Sequence, residues 1–240
     1  MPETPEEIAP GLWRWTARHP EWHPGDFGAE VASFAVESGP DTILIDPLLP
    51  TDPAPVNDLI DRITGERLAI VITIPYHVRS AEELRDRFRS SRGARRPGRT
   101  SARGGERNPE IWGHPAAAKR LRRRTGFREI DPGKPLPGGI SAHRIGRPRR
   151  YETPLHLPSH RALVFGDALV ETGGRLRVWS ERRVDGRVER FYRERFNPTL
   201  KPLLELDFDR VLPTHGRPVM DRGQSALAAA LRAKPWYHRP

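Results

Sequence analysis

The sequence contains no cysteine among its 240 residues, which excludes disulfide bonds and thiolate metal ligands. It also lacks any apolar run approaching the roughly 20 residues that a helix needs to cross a membrane. Its first residues, MPETPEEIAPG, are acidic and proline-rich, and they have neither the positive charge nor the apolar stretch of a signal peptide. These absences predict a cytoplasmic protein with no membrane partner.

Acidic residues are scarce in one segment only. Residues 85–128 contain 15 Lys and Arg against 3 Asp and Glu, whereas the rest of the chain has 26 against 28. The net charge of +10 is therefore local. Within this segment, residues 89–108 have no apolar side chain larger than alanine, so they cannot bury surface. This pattern predicts a flexible Arg/Gly/Ser-rich insertion at 89–108. Residues 85–128 could bind nucleic acid through phosphates, or remain a solvated surface.

The most informative stretch is residues 68–84, LAIVITIPYHVRSAEEL. It begins with a β-branched apolar run that is typical of a buried strand. After Pro75 a short loop carries His77 and Arg79. A helix is then predicted from Ser80, with Glu83 three residues later as a capping-box partner. A strand, a short loop and a helix start are where α/β proteins commonly place their functional side chains.

Three further strand ends carry polar side chains. The apolar run ILID ends at Asp46, VFGD ends at Asp167, and LPTHG carries His215. Because open α/β sheets gather their sites at the carboxyl ends of strands, we expect His77, Asp167 and His215 to converge. Asp46 is expected either to cap a turn or to lie at the same cleft.

These four landmarks, in this order and spacing, resemble those of the metallo-β-lactamase-fold superfamily over residues 11–220 or so. The resemblance implies an α/β protein with an αβ/βα four-layer sandwich, in which two mixed sheets are flanked by helices. We expect residues 1–240 to form a single domain of this kind. It also implies a hydrolase-like protein.

The resemblance implies a reduced metal site as well. In the superfamily, the strand that corresponds to residues 68–74 ends in Thr-His-x-His-x-Asp-His and is followed by a helix. If His77 is its second histidine, Pro75 and Ser80 replace two other histidines, and Arg79 replaces the aspartate. Arg147 is the nearest residue to the place of a further histidine.

Two function classes follow from what survives. One is a weak hydrolase with one zinc or other divalent ion held by His77, Asp167 and His215, since three protein ligands plus water form a catalytic zinc pattern. The other is a catalytically inactive protein that binds no metal. In that case Arg79 or Arg147 replaces the ions electrostatically, either as a structural salt-bridge network or by leaving a cleft with Asp46 that binds a small anion. We expect Arg79 to pair with Asp167. The sequence does not predict the oligomeric state.

Overall fold

The computed structural model describes residues 4–90 and 109–239. The predicted insertion at 89–108 lies outside these ranges, except for Arg89 and Ser90, which end a helix. In the two described ranges, no helix is long and apolar enough to cross a membrane. The single-domain assignment of residues 1–240 stays a prediction.

The larger sheet has seven strands within the described residues, hydrogen-bonded in chain order. They are β1 (Glu6–Ala9), β2 (Leu12–Arg18), β3 (Glu30–Ser38), β4 (Asp41–Ile45), β5 (Arg67–Ile72), β6 (Glu110–Gly113) and β7 (Phe127–Glu129). Neighbours are antiparallel from β1 to β4 and parallel from β4 to β7. The sheet is therefore mixed, and the carboxyl ends of β4 and β5 lie at the same edge.

The smaller sheet is also mixed and has four strands in the same part of the chain. They are β8 (Ser141–Ala142), β9 (Leu155–Leu157), β10 (Ala162–Phe165) and β13 (Arg210–Pro213), paired in the order β13, β10, β9, β8. β10 is parallel to β13 and antiparallel to β9. A separate hairpin is formed by β11 (Leu169–Thr172) and β12 (Arg175–Val178).

The helices cover the outer faces of the sheets. They are α1 (Ala54–Ile63), α2 (Ala81–Ser90), α3 (Gly186–Phe191), α4 (Asn197–Leu200) and α5 (Gly223–Arg232). A π-helical turn, Tyr192–Phe196, joins α3 to α4. In α1 the buried positions fall on one face, as the sequence predicts, because apolar residues recur at helical spacing.

The core lies in three layers. On β3, Phe34 and Val36 point toward the smaller sheet and pack in one cluster with Val164 and Leu212. Ala35, on the opposite face of the same strand, packs with the buried residues of α1 and α2. A third cluster joins the smaller sheet to α3–α5. Two mixed sheets with helices outside them confirm the predicted four-layer arrangement.

One predicted helix is wrong. From Pro115 at a first helical position and the basic run LRRRTG at the end, the sequence predicts a helix over residues 115–124. The structure has only a short 3₁₀ turn there, Ala117–Lys119. The carboxylate of Glu82 on α2 accepts hydrogen bonds from the backbone N–H groups of Arg122 and Arg123, at 2.7 and 2.9 Å. Because a side chain satisfies these donors, the segment does not need helical hydrogen bonds at these positions.

Two further side chains of this region differ from expectation. Arg85, which is 1% exposed, donates to the carbonyls of Arg123 and Thr125 at 3.1 and 3.0 Å. The Ser80 hydroxyl accepts a hydrogen bond from the N–H of Leu49 at 3.0 Å, so it ties the loop after β4 to the start of α2. Ser80, predicted to cap a helix, and Arg85, predicted to face solvent, therefore both hold neighbouring loops in place.

Candidate functional site

The candidate site lies where four strands end. Asp46 follows β4 and Thr73 follows β5, and these strands are parallel neighbours. Asp167 and His215 follow β10 and β13, a parallel pair in the other sheet. Parallel strands end at a common edge, and the two sheets face each other, so these side chains meet in one cleft. His77 enters from the 3₁₀ turn after β5.

Asp46 anchors the first side of the cleft. It is 1% exposed and has a left-handed backbone, with φ at 47°, which Asp tolerates better than most residues. One carboxylate oxygen accepts the N–H of Thr73 at 2.8 Å, and the other lies 2.9 Å from His77 Nδ1 and accepts the Thr73 hydroxyl. Asp46 therefore fixes the ring of His77 and the end of β5 together.

The structure brings His77, Asp167 and His215 together. His77 Nε2 is 3.3 Å and His215 Nε2 is 3.7 Å from Asp167 Oδ1. The side chains are only 5, 15 and 11% exposed for His77, Asp167 and His215. Asp167 Oδ1 and His215 Nδ1 are buried without a hydrogen-bond partner of ordinary geometry.

Arg79 lies beside Asp46, which is not the contact we expected. Its Nη1 donates to the backbone carbonyl of Asp46 at 3.0 Å and lies 3.4 Å from the carbonyl of Ala32. Its Nε and Nη2 are buried without hydrogen-bond partners. Arg79 forms no ion pair with any residue that the structure describes. Its position at φ 36° turns the side chain toward β3 and the end of β4, so it does not reach Asp167 for a direct pair.

Arg149 is the arginine that reaches Asp167. Its Nη1 is 3.7 Å from Asp167 Oδ2 and 3.1 Å from Glu181, and its guanidinium lies 5.0 Å from the centre of the Trp179 ring. Arg147, which the sequence places at this position, is exposed and lines a surface pocket instead. The loop was located correctly, but sequence spacing in an irregular loop does not determine which of two arginines turns inward.

Glu152 supports the site and was missed by sequence reasoning. Its carboxylate, 1% exposed, accepts the backbone N–H groups of Gly166, Asp167 and Ala168 at 3.0, 3.0 and 2.8 Å. Gly166 has to be glycine here, because a Cβ would lie 2.8 Å from the hydroxyl oxygen of Thr73. A single glutamate before a strand gives no periodic signal by which its role could be recognised.

The charges of the cleft favour an ionised pair. Burial and Arg79 lower the pKa of His77, but Asp46 and Asp167 outweigh them, and the pKa is raised above its ordinary value. Burial acts to raise the pKa of Asp167, but His77, Arg149 and His215 hold it far below its ordinary range. His77 and Asp167 therefore form an imidazolium–carboxylate pair.

Two other groups in the cleft have shifted pKa values. Burial lowers the pKa of His215 to about 4, so its ring is neutral near pH 7. Burial and the neighbouring charge of Asp167 raise the pKa of Glu152 to about 7, although Arg149 and the backbone N–H groups favour its ionised form. The cleft thus contains two cationic arginines, one cationic histidine and one neutral histidine.

A metal ion does not fit this donor set. Across residues 4–90 and 109–239, no group of three or more His, Cys, Asp or Glu side chains is arranged to hold one. Asp167 already pairs with His77 and Arg149, and His77 Nδ1 is occupied by Asp46. Arg79 adds a further positive charge in the cleft, where a divalent cation would need negative ligands. The metal role predicted for His77, Asp167 and His215 thus has no support from these contacts.

Comparisons with known proteins give a consistent fold. A scan of protein-family models and a search of curated proteins both find no match. Among solved structures, DIM-1 metallo-β-lactamase matches with 15% identity and a TM-score of 0.60, covering 95% of this chain and 98% of that chain. A metallo-β-lactamase from Hirschia baltica matches with 12% identity and a TM-score of 0.61, covering 98% and 100%.

This chain has the metallo-β-lactamase fold. The metallo-β-lactamase FIM-1 from Pseudomonas aeruginosa, solved in a mono-zinc form, is a further match with 14% identity and a TM-score of 0.60, covering 96% of this chain and 95% of that one. At such identities the likeness concerns the fold. In a metallo-β-lactamase fold the strand ends described above are expected to lie close together, and here an ion-pair network occupies them.

Proposed function

We propose that this protein binds a small anion in the cleft around Asp167 and does not hydrolyse substrates with a metal ion. The proposal rests on the environment of Arg79. Its guanidinium has two buried N–H donors, on Nε and Nη2, without hydrogen-bond partners, and it pairs with no carboxylate in the described ranges. Buried donors in native proteins are nearly always satisfied, so a bound anion is a natural partner for this group.

The other charges of the cleft support the same proposal because they are already compensated. Asp46 is engaged by His77 and Thr73, and Asp167 is engaged by His77 and Arg149. The Nε and Nη2 donors of Arg79 therefore remain for a bound group. A carboxylate, sulfate or phosphate group matches its planar fork of donors.

The proposal is tested by calorimetric titration of the purified protein with phosphate, sulfate and malonate in an anion-poor buffer. We expect saturable binding of at least one of them, weakened about tenfold or more by Arg79→Met because a charge-assisted hydrogen-bond pair is lost. Arg79→Lys keeps the charge but loses the fork, so its affinity should lie between the two.

Arg62→Met serves as the control, because Arg62 is an exposed arginine on α1 that stacks on Trp13, away from the cleft. This variant should bind as the wild type does. Absence of saturable binding, or equal affinities for the wild type and Arg79→Met, contradicts the proposal. Circular dichroism of each variant separates loss of binding from loss of folding.

A second candidate function is favoured by one observation. Asp167 Oδ1 has no hydrogen bond of ordinary geometry and lies between His77 Nε2 and His215 Nε2. These three side chains would hold the single zinc or other divalent ion of a weak hydrolase, which would supply an activated water. Metal binding would require Asp167 to leave Arg149, and it would place a divalent cation close to the positive charge of Arg79. We therefore rank this candidate second.

The partner and compartment predictions are proposals too. Residues 85–128 are also proposed to bind nucleic acid. In their described part, fewer arginines are free to contact phosphates than the sequence suggests. Arg85 is buried, Arg87 pairs with Asp61, and Arg128 pairs with Glu110. A cytoplasmic location is proposed from the sequence alone.

A further inference from the structure

A surface pocket separate from the Asp167 cleft has a distinct chemistry. It has a volume of about 910 Å³ and lies between the loop 147–151 and the segment 180–192. Five exposed arginines line it: Arg147, Arg150, Arg182, Arg183 and Arg187. Its size falls in the range of small-molecule sites, roughly 300–1,000 Å³.

The two acidic residues of the pocket are engaged elsewhere. Glu181 pairs with Arg149 at 3.1 Å, on the side of the cleft. Asp185 caps α3 by accepting the N–H of Val188 at 2.8 Å. Among the described residues, Arg147, Arg182, Arg183 and Arg187 form no ion pair. The pocket therefore has a strong excess of uncompensated positive charge.

Aromatic rings stand among these arginines. Tyr151 and Phe191 are 41 and 39% exposed, and they are two of the three large hydrophobic side chains exposed in the described ranges. The guanidinium of Arg150 lies 4.6 Å from the centre of the Tyr151 ring. Tyr192 is buried and donates its hydroxyl hydrogen to the carbonyl of Trp179 at 3.2 Å, which fixes the start of the π-helical turn at the pocket wall.

We propose that this pocket binds a nucleotide. The unpaired guanidinium groups would hold the phosphates through charge-assisted, bidentate hydrogen bonds. Tyr151 or Phe191 would stack on the base, since an exposed ring beside a basic surface is the usual platform for a nucleobase. The pocket is concave and of limited volume, which favours a free nucleotide over a longer strand. The proposal does not depend on anion binding in the Asp167 cleft.

The experiment measures binding of a fluorescent adenosine triphosphate analogue by anisotropy, with unlabelled competitors and without added metal. Adenosine triphosphate should compete, whereas adenosine and inorganic triphosphate should each compete at least about tenfold less well, because each lacks one half of the interaction. Phe191→Ala combined with Tyr151→Ala should weaken binding about tenfold, the effect of losing a stacking ring. Arg182→Ala combined with Arg187→Ala should weaken it at least as much.

Arg190→Ala is the matched control, because Arg190 is an exposed arginine of the same helix α3 that does not line the pocket. Its affinity should be unchanged. No saturable binding overturns the proposal, and so does inorganic triphosphate competing as well as the nucleotide. Tighter binding of a single-stranded oligonucleotide to the same residues also overturns it, in favour of a nucleic-acid surface.

Arg79→Met distinguishes the pocket from the cleft. It should leave nucleotide affinity unchanged, and a loss would place the nucleotide in the cleft and overturn the pocket assignment.

Discussion

Asp167 is the residue on which the cleft depends, and Arg149 is its partner from the opposite loop. Replacing Arg149 with methionine should lower the free energy of unfolding by about 2 kcal/mol. Breaking a short buried ion pair costs roughly 3–5 kcal/mol. The loss is smaller here because His77 still pairs with Asp167. Urea unfolding of the single variants and of Arg149→Met with Asp167→Asn gives the coupling energy.

We expect that coupling to be at least about 1 kcal/mol, with the double variant more stable than the two single effects predict. Additive effects would show that the contact is not an energetically coupled pair. Arg147→Met is the control from the same loop, and it should change the stability by less than about 0.5 kcal/mol because Arg147 is exposed.

The two histidines of the cleft should give pH effects of opposite direction. The pKa of His77 is raised, so its ion pairs stabilise the fold fully below about pH 6.5, and this stabilisation is lost as the pH rises through the raised pKa. The pKa of His215 is lowered to about 4. The unfolded chain therefore binds a proton that the folded chain does not, and the contribution of His215 to stability falls as the pH drops from about 6.5 toward 4. Glu152 acts in the opposite direction over this range because its pKa is raised to about 7, so the effect of His215 is the difference between the wild type and a His215 variant.

Urea unfolding between about pH 4.5 and 8.5 checks both signs. His77→Gln should reduce the fall in stability above pH 6.5, and His215→Gln should gain stability relative to the wild type as the pH drops below it. A His77→Gln variant with the same alkaline slope as the wild type would mean that His77 is not the imidazolium we describe.

At the residue scale, the sequence predicted which residues lie at the site better than it predicted their ion-pair and hydrogen-bond partners. Asp46, His77, Asp167 and His215 were found because a polar residue within a few positions after a buried apolar strand is a local signal. The inward turn of Arg149 and the three hydrogen bonds to Glu152 are set by contacts between distant segments. No pattern in the neighbouring residues encodes them.

At the scale of elements, Glu82 on α2 determines the course of the segment after β6. Its carboxylate accepts the N–H groups of Arg122 and Arg123. Glu82→Ala should lower the free energy of unfolding by about 2 kcal/mol, because two hydrogen bonds to a charged group are lost. Amide hydrogen exchange at Arg122 and Arg123 should accelerate as well.

Glu83→Ala is the matched control, since Glu83 is the next residue of α2 and is exposed. Its stability should change by less than about 0.5 kcal/mol. Equal effects of the two substitutions would contradict the role assigned to Glu82. The same contact explains why the helix predicted at 115–124 is absent: a tertiary hydrogen bond overrides a weak local preference.

Other elements were predictable because their signals are local and strong. The alternation in residues 30–38 predicts a strand, and the apolar stripe in residues 55–63 predicts a helix with one buried face; the structure confirms both. The sequence also predicts a hairpin from residues 154–157 and 162–165, which β9 and β10 form. It predicts a strand at 140–145, whereas β8 is only Ser141–Ala142, an edge strand with one neighbour in the described part of the sheet.

At the scale of the whole molecule, the fold is that of the metallo-β-lactamases, and the strand ends hold an ion-pair network. In residues 4–90 and 109–239 no group of three or more potential ligands is arranged to hold a metal ion. Arg149 and His77 pair with Asp167, and in our proposal the external anion takes the two unpaired N–H donors of Arg79.

The most direct measurement is the metal content of the purified protein, determined by mass spectrometry after expression with added zinc and dialysis against metal-free buffer. The account predicts far less than one zinc per chain, with no difference between the wild type and the His77→Ala, Asp167→Ala and His215→Ala variants. About one zinc per wild-type chain that disappears in all three variants would contradict it and would favour the second candidate, in which these side chains hold a metal ion.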